Sequence, residues 1–409
     1  MKLSLPWRRT RPDREVVPIN RPQTLKAAYG TSGFTLHSPG QARWSPQNYA
    51  ALAREGYTRN PIVFRAIRLV AETASAVPWL LYEGREERSE HALLSLIKQP
   101  NSAEAGATFF EALFGYLLIS GNVFIQVNNA PGIAPSLHLL RPDRINVIAG
   151  NDGWTDGFEY HVGLQKHVLA PLSPDVSSGI IHLKMFHPLD DLNGFAPLCA
   201  AQMALETHNA TASWNKALLD NSARPSGALI YAPEGGGNLT DDQYERLKTE
   251  LEDGYSGATR AGRPLLLEGG LDWKPMSLTP KDMDFLEAKH SAAREIALAF
   301  GVPPMLLGIP GDNTYANYAE ANRAFYRMTV LPLINRLAGD LTAALAPYFG
   351  EGLRLEHDTD KIEGLSQERD LLWARLTAAS FLTDDEKREA LGYGKRKTPL
   401  KSEGNTKHV

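Results

Sequence analysis

The segment Gly254-Tyr255-Ser256-Gly257-Ala258 comes nearest to a catalytic motif, because it places a serine near glycines as the nucleophile elbow of hydrolases does. The final glycine of that motif is missing, and the segment follows a predicted helix where the motif requires a strand. No Gly-x4-Gly-Lys-Ser/Thr string is present, so the chain lacks the loop with which many ATPases bind phosphate. We interpret the segment as a flexible loop and assign no catalytic residue.

Two pairs of aspartates have oxygen ligands of the kind that suit magnesium or calcium. The pair in 282–284 lies where a helix is expected to begin, and the pair in 358–360 lies in a polar loop. Helix capping and solvation explain both. The two histidines in 182–187 flank a strand end, where their spacing spreads them apart. The sequence therefore predicts no metal site and no cofactor.

At 409 residues and 43% hydrophobic content, the chain is long enough for two to four lobes with sizeable cores. It has no apolar run of membrane-spanning length and no secretory signal, so we expect a soluble protein without a membrane partner. Cys199 is the single cysteine, which excludes an intramolecular disulfide and fits a reducing compartment. The net charge of −4 argues against a broad basic face that grips nucleic acid.

Positive charge collects at both ends of the chain. Residues 1–26 contain seven lysines and arginines against two acids, and 395–397 are all basic. Because prolines are interspersed and apolar residues are few, these ends are predicted to be flexible arms. They are either solvated tails or contacts for nucleic acid or a partner.

Two long amphipathic helices stand out near the middle of the C-terminal half. The first is expected over 280–301, because Thr279 can cap its first backbone N–H groups and Pro280 fits the first helical position. Gly301 and the prolines at 303–304 supply its end.

A second long helix is expected to begin near Tyr318, because Asn317 and Glu320 stand at the spacing of a capping box. Its apolar stripe runs from 325 to 345. Pro332 lies within the stripe, where it removes a backbone donor and clashes with the preceding turn. The sequence predicts a helix kink at Pro332.

The segment 302–316 joins these helices and contains no lysine or arginine. Its candidate functional residues are Gly308, Gly311, Asp312, Asn313, Thr314 and Tyr315. Such a mobile surface could touch DNA transiently without gripping it, since each phosphate contact adds salt-dependent affinity. A plain connection between helices is the alternative.

A thin apolar stripe marks another helix, predicted over 196–223. The stripe consists of Leu198, Leu205, Ala212 and Leu219. A stripe this narrow suits a helix packed against identical neighbours, so these four residues are predicted to pack between subunits.

Shorter elements precede and follow these helices. Helices are predicted from Asn60-Pro61 to before Pro78 and over 104–120, with strands at 123–127, 137–140, 145–149, 158–162 and 180–186. A small insert follows, with strands at 228–232 and 264–267 around a helix that Thr240 caps and Gly254 ends. Ser366 and Thr383 are predicted to cap two final helices.

Several local strings, in this order and spacing, resemble the portal proteins of tailed bacteriophages, in the siphophage-type family shared with prophages and gene transfer agents. The strings are Asn60-Pro61-Ile62-Val63-Phe64-Arg65-Ala66-Ile67, Val77-Pro78, Pro100-Asn101, Gly121-Asn122, Ile181-His182-Leu183, Pro225-Ser226-Gly227, Leu267-Glu268-Gly269-Gly270 and Ile296 through Pro304. The resemblance covers about residues 60–350 and is weakest beyond Gly350.

The resemblance implies an α+β portal fold with a mixed α/β wing, a long-helix stem, a small α/β clip, a kinked channel helix and a short helical crown. The implied parts are a flexible basic arm at 1–45, the wing at 46–195 and 317–360, stem helices at 196–223 and 279–301, the clip at 224–278, the channel loop at 302–316, and crown helices with a basic tail at 361–409.

The resemblance also implies a function. A homo-oligomeric ring, usually a dodecamer, would stand at one capsid vertex, the head-tail junction of the virion, after assembly in the bacterial host cytoplasm. Double-stranded DNA would pass through it during packaging and ejection. The terminase large subunit, the major capsid protein and a head-tail connector or adaptor protein would be partners, and no enzymatic activity is implied.

Two other interpretations remain at this stage. One is a different helical-ring or membrane-associated scaffold, and the other is a hydrolase with an unrecognised Asp- or Ser-based site. A particle with a central hole would favour the portal, whereas a monomer or dimer with a deep cleft would favour the enzyme.

Overall fold

The computed structural model describes residues 46, 48–129, 134–175, 177–220, 227–231, 240–255, 271–275, 285–311 and 315–391. The α-helices are α1 (Tyr49–Leu52), α2 (Pro61–Ser75), α3 (Ala92–Lys98), α4 (Gly106–Ser120), α5 (Pro197–Ala200), α6 (Gln202–Asp220), α7 (Asp241–Tyr255), α8 (Phe285–Ala299), α9 (Tyr315–Phe325), α10 (Leu331–Phe349), α11 (Ser366–Ala378) and α12 (Asp384–Ala390). π-Helical turns follow α1 at Ala53–Thr58 and α9 at Tyr326–Val330.

Small antiparallel sheets complete the α+β fold. The strands are β1 (Trp79–Glu83), β2 (Glu86–Glu87), β3 (Asn122–Asn128), β4 (Ser136–Leu140), β5 (Ile145–Ala149), β6 (Thr155–Val162), β7 (Gln165–Leu169), β8 (Ser178–Lys184), β9 (Gly227–Tyr231), β10 (Leu271–Pro275) and β11 (Leu353–His357). Their orders are β11-β1-β2, β4-β3-β8, β5-β6-β7 and β10-β9.

Helix α2 forms where the sequence predicts it and lies at the centre of the main core. The Oδ1 atom of Asn60 accepts hydrogen bonds from the backbone N–H groups of Ile62 and Val63, at 3.0 and 3.2 Å, and so caps the helix. The buried face consists of Val63, Ala66, Ile67, Val70, Ala71 and Ala74. This face packs against α4, and each fully buried aliphatic side chain contributes roughly 1.5–3 kcal/mol.

Helix α4 begins at Gly106, two residues after the predicted start, and ends as predicted at Ser120, with Gly121 at its C-cap. Gly121 has a φ of +74°, and a Cβ at this position would lie 2.7 Å from the carbonyl oxygen of Gly194. Only glycine suits both the left-handed conformation and this close approach. The chain then enters β3 at Asn122, one residue before the predicted strand at 123–127.

The sheets agree with the sequence where local alternation is strong. The strands predicted at 137–140, 145–149, 158–162 and 180–186 correspond to β4, β5, β6 and β8, with ends that shift by at most three residues. Strands β1, β2, β7, β10 and β11 were not predicted. β1 pairs with β11 across most of the chain, and this pairing places buried Leu81 opposite buried Leu355.

The predicted insert is confirmed at its first strand and its helix. Thr240 and Gln243 exchange the two hydrogen bonds of a capping box at the start of α7, which ends one residue beyond Gly254. Strand β9 lies one residue before the predicted 228–232 and pairs with β10. The strand predicted at 264–267 lies outside the described residues.

The C-terminal helices agree with the sequence in part. Thr383 and Glu386 form the capping box of α12, as predicted. Ser366 is the first residue of α11, and Leu365 occupies the cap position without a side-chain hydrogen bond. The predicted cap at Ser366 is therefore wrong by one position. The arm at 1–45 and the tail beyond Leu391 lie outside the described residues.

Candidate functional site

Helices α5 and α6 carry the residues predicted to pack between subunits. Leu198 and Leu205 are 0% and 1% exposed within the single chain. A Cβ on Gly56, in the π-helical turn after α1, would lie 3.0 Å from Leu198 and 3.5 Å from Leu205. The predicted intersubunit role of these two leucines is wrong, because the chain's own core already covers them. Ala212 is half-buried, and the side chain of Leu219 lies outside the described residues.

Helix α8 packs against α6 and begins, in the described part of the chain, at Phe285. The predicted start at Pro280 lies outside that part. The buried residues of α8 are Ala292, Ala293, Ile296 and Ala297, and Phe300, directly after the helix, is also buried. These residues form the face of α8 that lies toward the core.

The end of α8 is closed by two backbone hydrogen bonds around Gly301. The N–H of Val302 donates to the carbonyl of Ala297 at 2.9 Å, and the N–H of Gly301 donates to Leu298 at 3.0 Å. This is a Schellman motif with glycine in the left-handed position, at φ +64°. The hydroxyl of Thr329 donates to the Gly301 carbonyl at 2.6 Å, so the helix end is also fixed to the π-helical turn after α9.

We expect Gly301→Ala to lower the free energy of unfolding by about 2–3 kcal/mol. An alanine would adopt a left-handed conformation, and its Cβ would lie 2.7 Å from Thr329 Oγ1, which displaces that hydroxyl from its hydrogen bond. Urea denaturation followed by circular dichroism measures the loss.

Gly308→Ala is the matched control for this prediction. Gly308 also has a positive φ, +72°, but a Cβ there would meet nothing within 4 Å. Gly308→Ala should therefore lower the free energy of unfolding only by the cost of a left-handed alanine, about 1–2 kcal/mol. Equal losses in both variants would contradict the role of the Thr329 contact.

The segment after α8 is fixed to that helix as far as Gly311. Ile309 is 4% exposed and packs against Ala293 and Ala297, while the guanidinium of Arg294 donates to the carbonyl of Pro310. The predicted mobility is therefore wrong for 302–310, because an apolar side chain and a charged hydrogen bond hold this stretch. A cation also lies beside the segment, although the segment itself has none.

The remaining predicted loop residues lie partly in turns, partly in α9 and partly outside the described residues. Gly308 lies in a turn after the 3-10 turn at Pro304–Leu307, and Gly311 is exposed. Tyr315 is the first residue of α9, which corrects both its place in the loop and the predicted helix start near Tyr318. Asn317 and Glu320 consequently lie inside α9 and do not form the expected cap. Asp312, Asn313 and Thr314 lie outside the described residues.

The predicted kink residue, Pro332, is the second residue of α10. A π-helical turn precedes α10, and its backbone hydrogen bonds depart from the regular α-helical pattern. Such an irregularity can accommodate a proline, which has no backbone N–H to donate. Both features cause helix kinks. The bend at Pro332 stays a prediction.

A buried polar network joins α6 to the start of α2. The Asn60 amide Nδ2 donates to Nδ1 of His208 at 3.0 Å and to Oδ1 of Asn209 at 2.9 Å. Asn209 in turn donates to the carbonyl of Glu55 at 2.9 Å. Burial, followed by the charge of Lys289, lowers the pKa of His208 and favours its neutral, accepting form. The sequence indicates Asn60 as a helix start, but no local pattern indicates its partners in α6.

His182 has a structural environment, as the sequence analysis expected. Its ring stacks on Phe124 at 4.4 Å between centroids, meets Phe158 edge-on at 5.8 Å, and makes a 3.0 Å hydrogen bond to Asn122. Burial, followed by the charge of Lys184, lowers its pKa from 6.5 to about 4.

We expect acid to destabilise the chain partly through His182. The unfolded state binds a proton as pH falls below 6.5, whereas the folded state resists it down to about 4, so stability is complete above 6.5 and is lost as pH falls. Between pH 7 and 5 the loss from this group is about 2 kcal/mol. Urea denaturation of wild type and His182→Gln measures it. An equal loss in the variant would contradict the assignment.

The other residues considered for chemistry have structural roles. Asp358 accepts from the Asp360 N–H at 3.0 Å and lies 3.1 Å from Lys361 Nζ. Among the described residues, acids, histidines and the cysteine do not come together in any group of three that could hold a metal ion. Gly254 and Tyr255 belong to α7, while 256–258 lie outside the described part. Within the described ranges, no helix has the length and apolarity needed to cross a membrane.

Comparison with known proteins decides the family. Residues 61–392 match the family model described as Phage portal protein. The chain belongs to the phage portal protein family. The matched range contains α2 through α12 and all of the described strands, so the family resemblance extends further toward the C-terminus than the sequence strings indicated.

Solved structures agree with this portal assignment. The chain is 50% identical to a protein in the neck of an empty gene transfer agent particle computed with C6 symmetry, with a TM-score of 0.69 over 87% of this chain and 96% of that one. The neck of a native gene transfer agent particle, computed with C12 symmetry, gives the same identity and coverage and a TM-score of 0.66. The α+β portal fold is thus confirmed.

A curated relative also carries the portal name. The probable portal protein of Streptomyces phage phiC31 is 26% identical over 87% of this chain and 82% of its own length. Portal proteins are structural proteins, which supports a non-enzymatic role for this portal protein.

Proposed function

We propose that this portal protein forms a twelve-membered ring at one vertex of a DNA-filled particle and conducts double-stranded DNA during packaging and ejection. The observation that carries this proposal is the 50% identity to the neck protein of a gene transfer agent particle, over 96% of that protein, in a reconstruction with C12 symmetry. Identity at this level along nearly the whole relative supports the same assembly.

The parts of the ring follow from the described elements. We assign α2, α4 and the sheets around them to the wing, α6 and α8 to the stem, and β9, α7 and β10 to the clip. Acidic residues outnumber basic ones over 224–278, and the side chains of 241–249 in α7 are exposed except for half-buried Leu247. An exposed acidic face suits contact with proteins better than with DNA, so we assign the clip to the terminase large subunit and later the head-tail connector.

The segment 302–314 is our candidate for the channel surface. It lies between α8 and α9, and its first part is held by Ile309 and Arg294. Residues 311–314 are glycine and small polar residues. A segment of this composition would present little charge to DNA, which limits salt-dependent friction. Contact with the major capsid protein, location at the head-tail junction and assembly in the host cytoplasm complete the proposal.

Imaging of the purified full chain tests the proposal. We expect negative-stain class averages to show rings with a central hole, and native mass spectrometry to give twelve copies. A monomer or dimer at every concentration tested would contradict it. The comparisons give no support to another scaffold or to a hydrolase, and a compact particle with a deep cleft would be needed to revive the latter.

A further inference from the structure

Buried polar side chains are concentrated where helix α6 meets the start of α2. Among the residues that the structure describes, the buried polar ones are Asn60, Asn101, Asn122, Gln202, His208 and Thr211. Three of these six lie on α6, and Asn60 donates hydrogen bonds to that helix. Buried polar groups contribute little net free energy even when they are hydrogen-bonded, so an apolar contact of the same size would be at least as stable. Stability alone therefore does not explain this polar junction.

The amide of Asn60 can face α6 in only one way. Its Oδ1 atom accepts from the backbone N–H groups of Ile62 and Val63, so its Nδ2 atom is the group that reaches α6. Asn209 accepts from Nδ2 at 2.9 Å and donates to the carbonyl of Glu55, in the π-helical turn, at 2.9 Å. Hydrogen bonds depend on both distance and angle. Helix α6 is therefore held in direction as well as in position by two segments that precede α2.

A close steric contact lies at the same junction. A Cβ on Gly56 would lie 3.0 Å from Leu198 and 3.5 Å from Leu205. Apolar contacts are not directional, so this contact alone would let α6 rotate slightly on the π-helical turn. Helix α6 continues to Asp220, and a rotation of about 3° at Asn209 would displace that end by about 0.9 Å. The hydrogen bonds therefore restrict a motion that the length of the helix would amplify.

We propose that the network of Asn60, His208 and Asn209 sets the number of subunits in the ring by fixing the angle between stem and wing. The proposal rests on the proposed ring, in which α6 belongs to the stem and α2 to the wing. Neighbouring copies are related by about 30° in a ring of twelve, about 28° in a ring of thirteen and about 33° in a ring of eleven. A change of a few degrees in each subunit would therefore close a different ring.

The physical basis is the directionality of buried polar contacts. Stem and wing of one copy both contact the neighbours, so their relative orientation decides the rotation at which both contacts close. A fully hydrogen-bonded buried network makes one orientation more favourable than its close alternatives. In coiled coils a single buried asparagine selects the number of strands in this way, at a cost in stability.

Native mass spectrometry of the full-length protein tests the network. The variant combines Asn60→Thr, His208→Leu and Asn209→Ala, in which threonine still caps α2 but no side chain bridges to α6 by a hydrogen bond. We expect wild type to form rings of one copy number, and the variant to form a mixture or a different number. Variant rings with the wild-type number, folded variant subunits without rings, or a mixture in wild type would each overturn the network's role. Absence of rings in wild type would instead overturn the proposed function.

Asn101→Ala is the matched control, because Asn101 is also buried and its Nδ2 atom donates to the carbonyl of Leu137 at 3.0 Å, within the wing. It should lower the urea midpoint and leave the copy number unchanged. A changed copy number in this control would overturn the proposal, since any loss of stability would then suffice. If the triple variant fails to fold, Asn209→Ala decides, because Asn209 is half-buried, alanine suits a helix and two hydrogen bonds of the network are lost.

Discussion

Leu205→Ala is expected to lower the free energy of unfolding of the subunit by about 2–5 kcal/mol, the range for removing a fully buried leucine from a packed core. Leu205 is 1% exposed and lies against Gly56 in the main core. Leu198 is fully buried beside Leu205 and Gly56. Because it is already packed there, we expect it to fill little of the cavity that alanine would leave. Urea denaturation of dissociated subunits measures the change, and ring yield should fall only as far as folded protein is lost.

Met203→Ala is the matched control, because Met203 lies on the same helix and is 66% exposed. It should change stability by no more than about 0.5 kcal/mol. If Leu205→Ala instead gave subunits of unchanged stability that failed to form rings, the residue would belong to an intersubunit contact after all.

The second large effect is expected at Asn60. Asn60→Ala removes the cap of α2, worth about 1 kcal/mol, and leaves the buried acceptor of His208 without its donor, at about 1–3 kcal/mol. Half-buried Asn209 loses one hydrogen bond, at about 0.5–1.5 kcal/mol. We expect a total loss of about 3–5 kcal/mol by urea denaturation. Asn48→Ala, at the exposed cap of α1, loses a comparable cap only and should cost about 1 kcal/mol.

Asn60→Asp separates the cap from the network. The new carboxylate keeps the capping acceptor but faces Nδ1 of His208, which it can bind only if that nitrogen is protonated. In wild type the lowered pKa of His208 makes stability fall as pH decreases below 6.5. In the variant the pKa is raised, so stability from this pair is present at low pH and is lost as pH rises. The same pH dependence in both proteins would contradict the network.

Elements with local signals could be predicted from the sequence. Asn60 and Pro61 define the start of α2, Thr383 and Glu386 define that of α12, and alternation defines β3. In each case the capping groups or the pattern lie within a few residues of the element itself, so the backbone geometry is decided locally.

Features that depend on distant partners could not be predicted. The Leu198 and Leu205 stripe correctly indicated burial, but a pattern of apolar residues does not say whether the same chain or a neighbour covers it. Likewise, the loop composition around Gly308 suggested mobility because nothing in its residues reveals that Ile309 will reach back to α8. Strand β11 was missed because its partner β1 precedes it by most of the chain.

That long-range pairing has a consequence for biosynthesis. Strand β11 closes the sheet of β1, and α10 packs against β11. Strand β1 therefore lacks its partner until residues 353–357 have emerged from the ribosome. A nascent chain cannot complete this core by local contacts, and non-local pairing forms slowly. Closure of this core is therefore one of the last folding steps of each subunit.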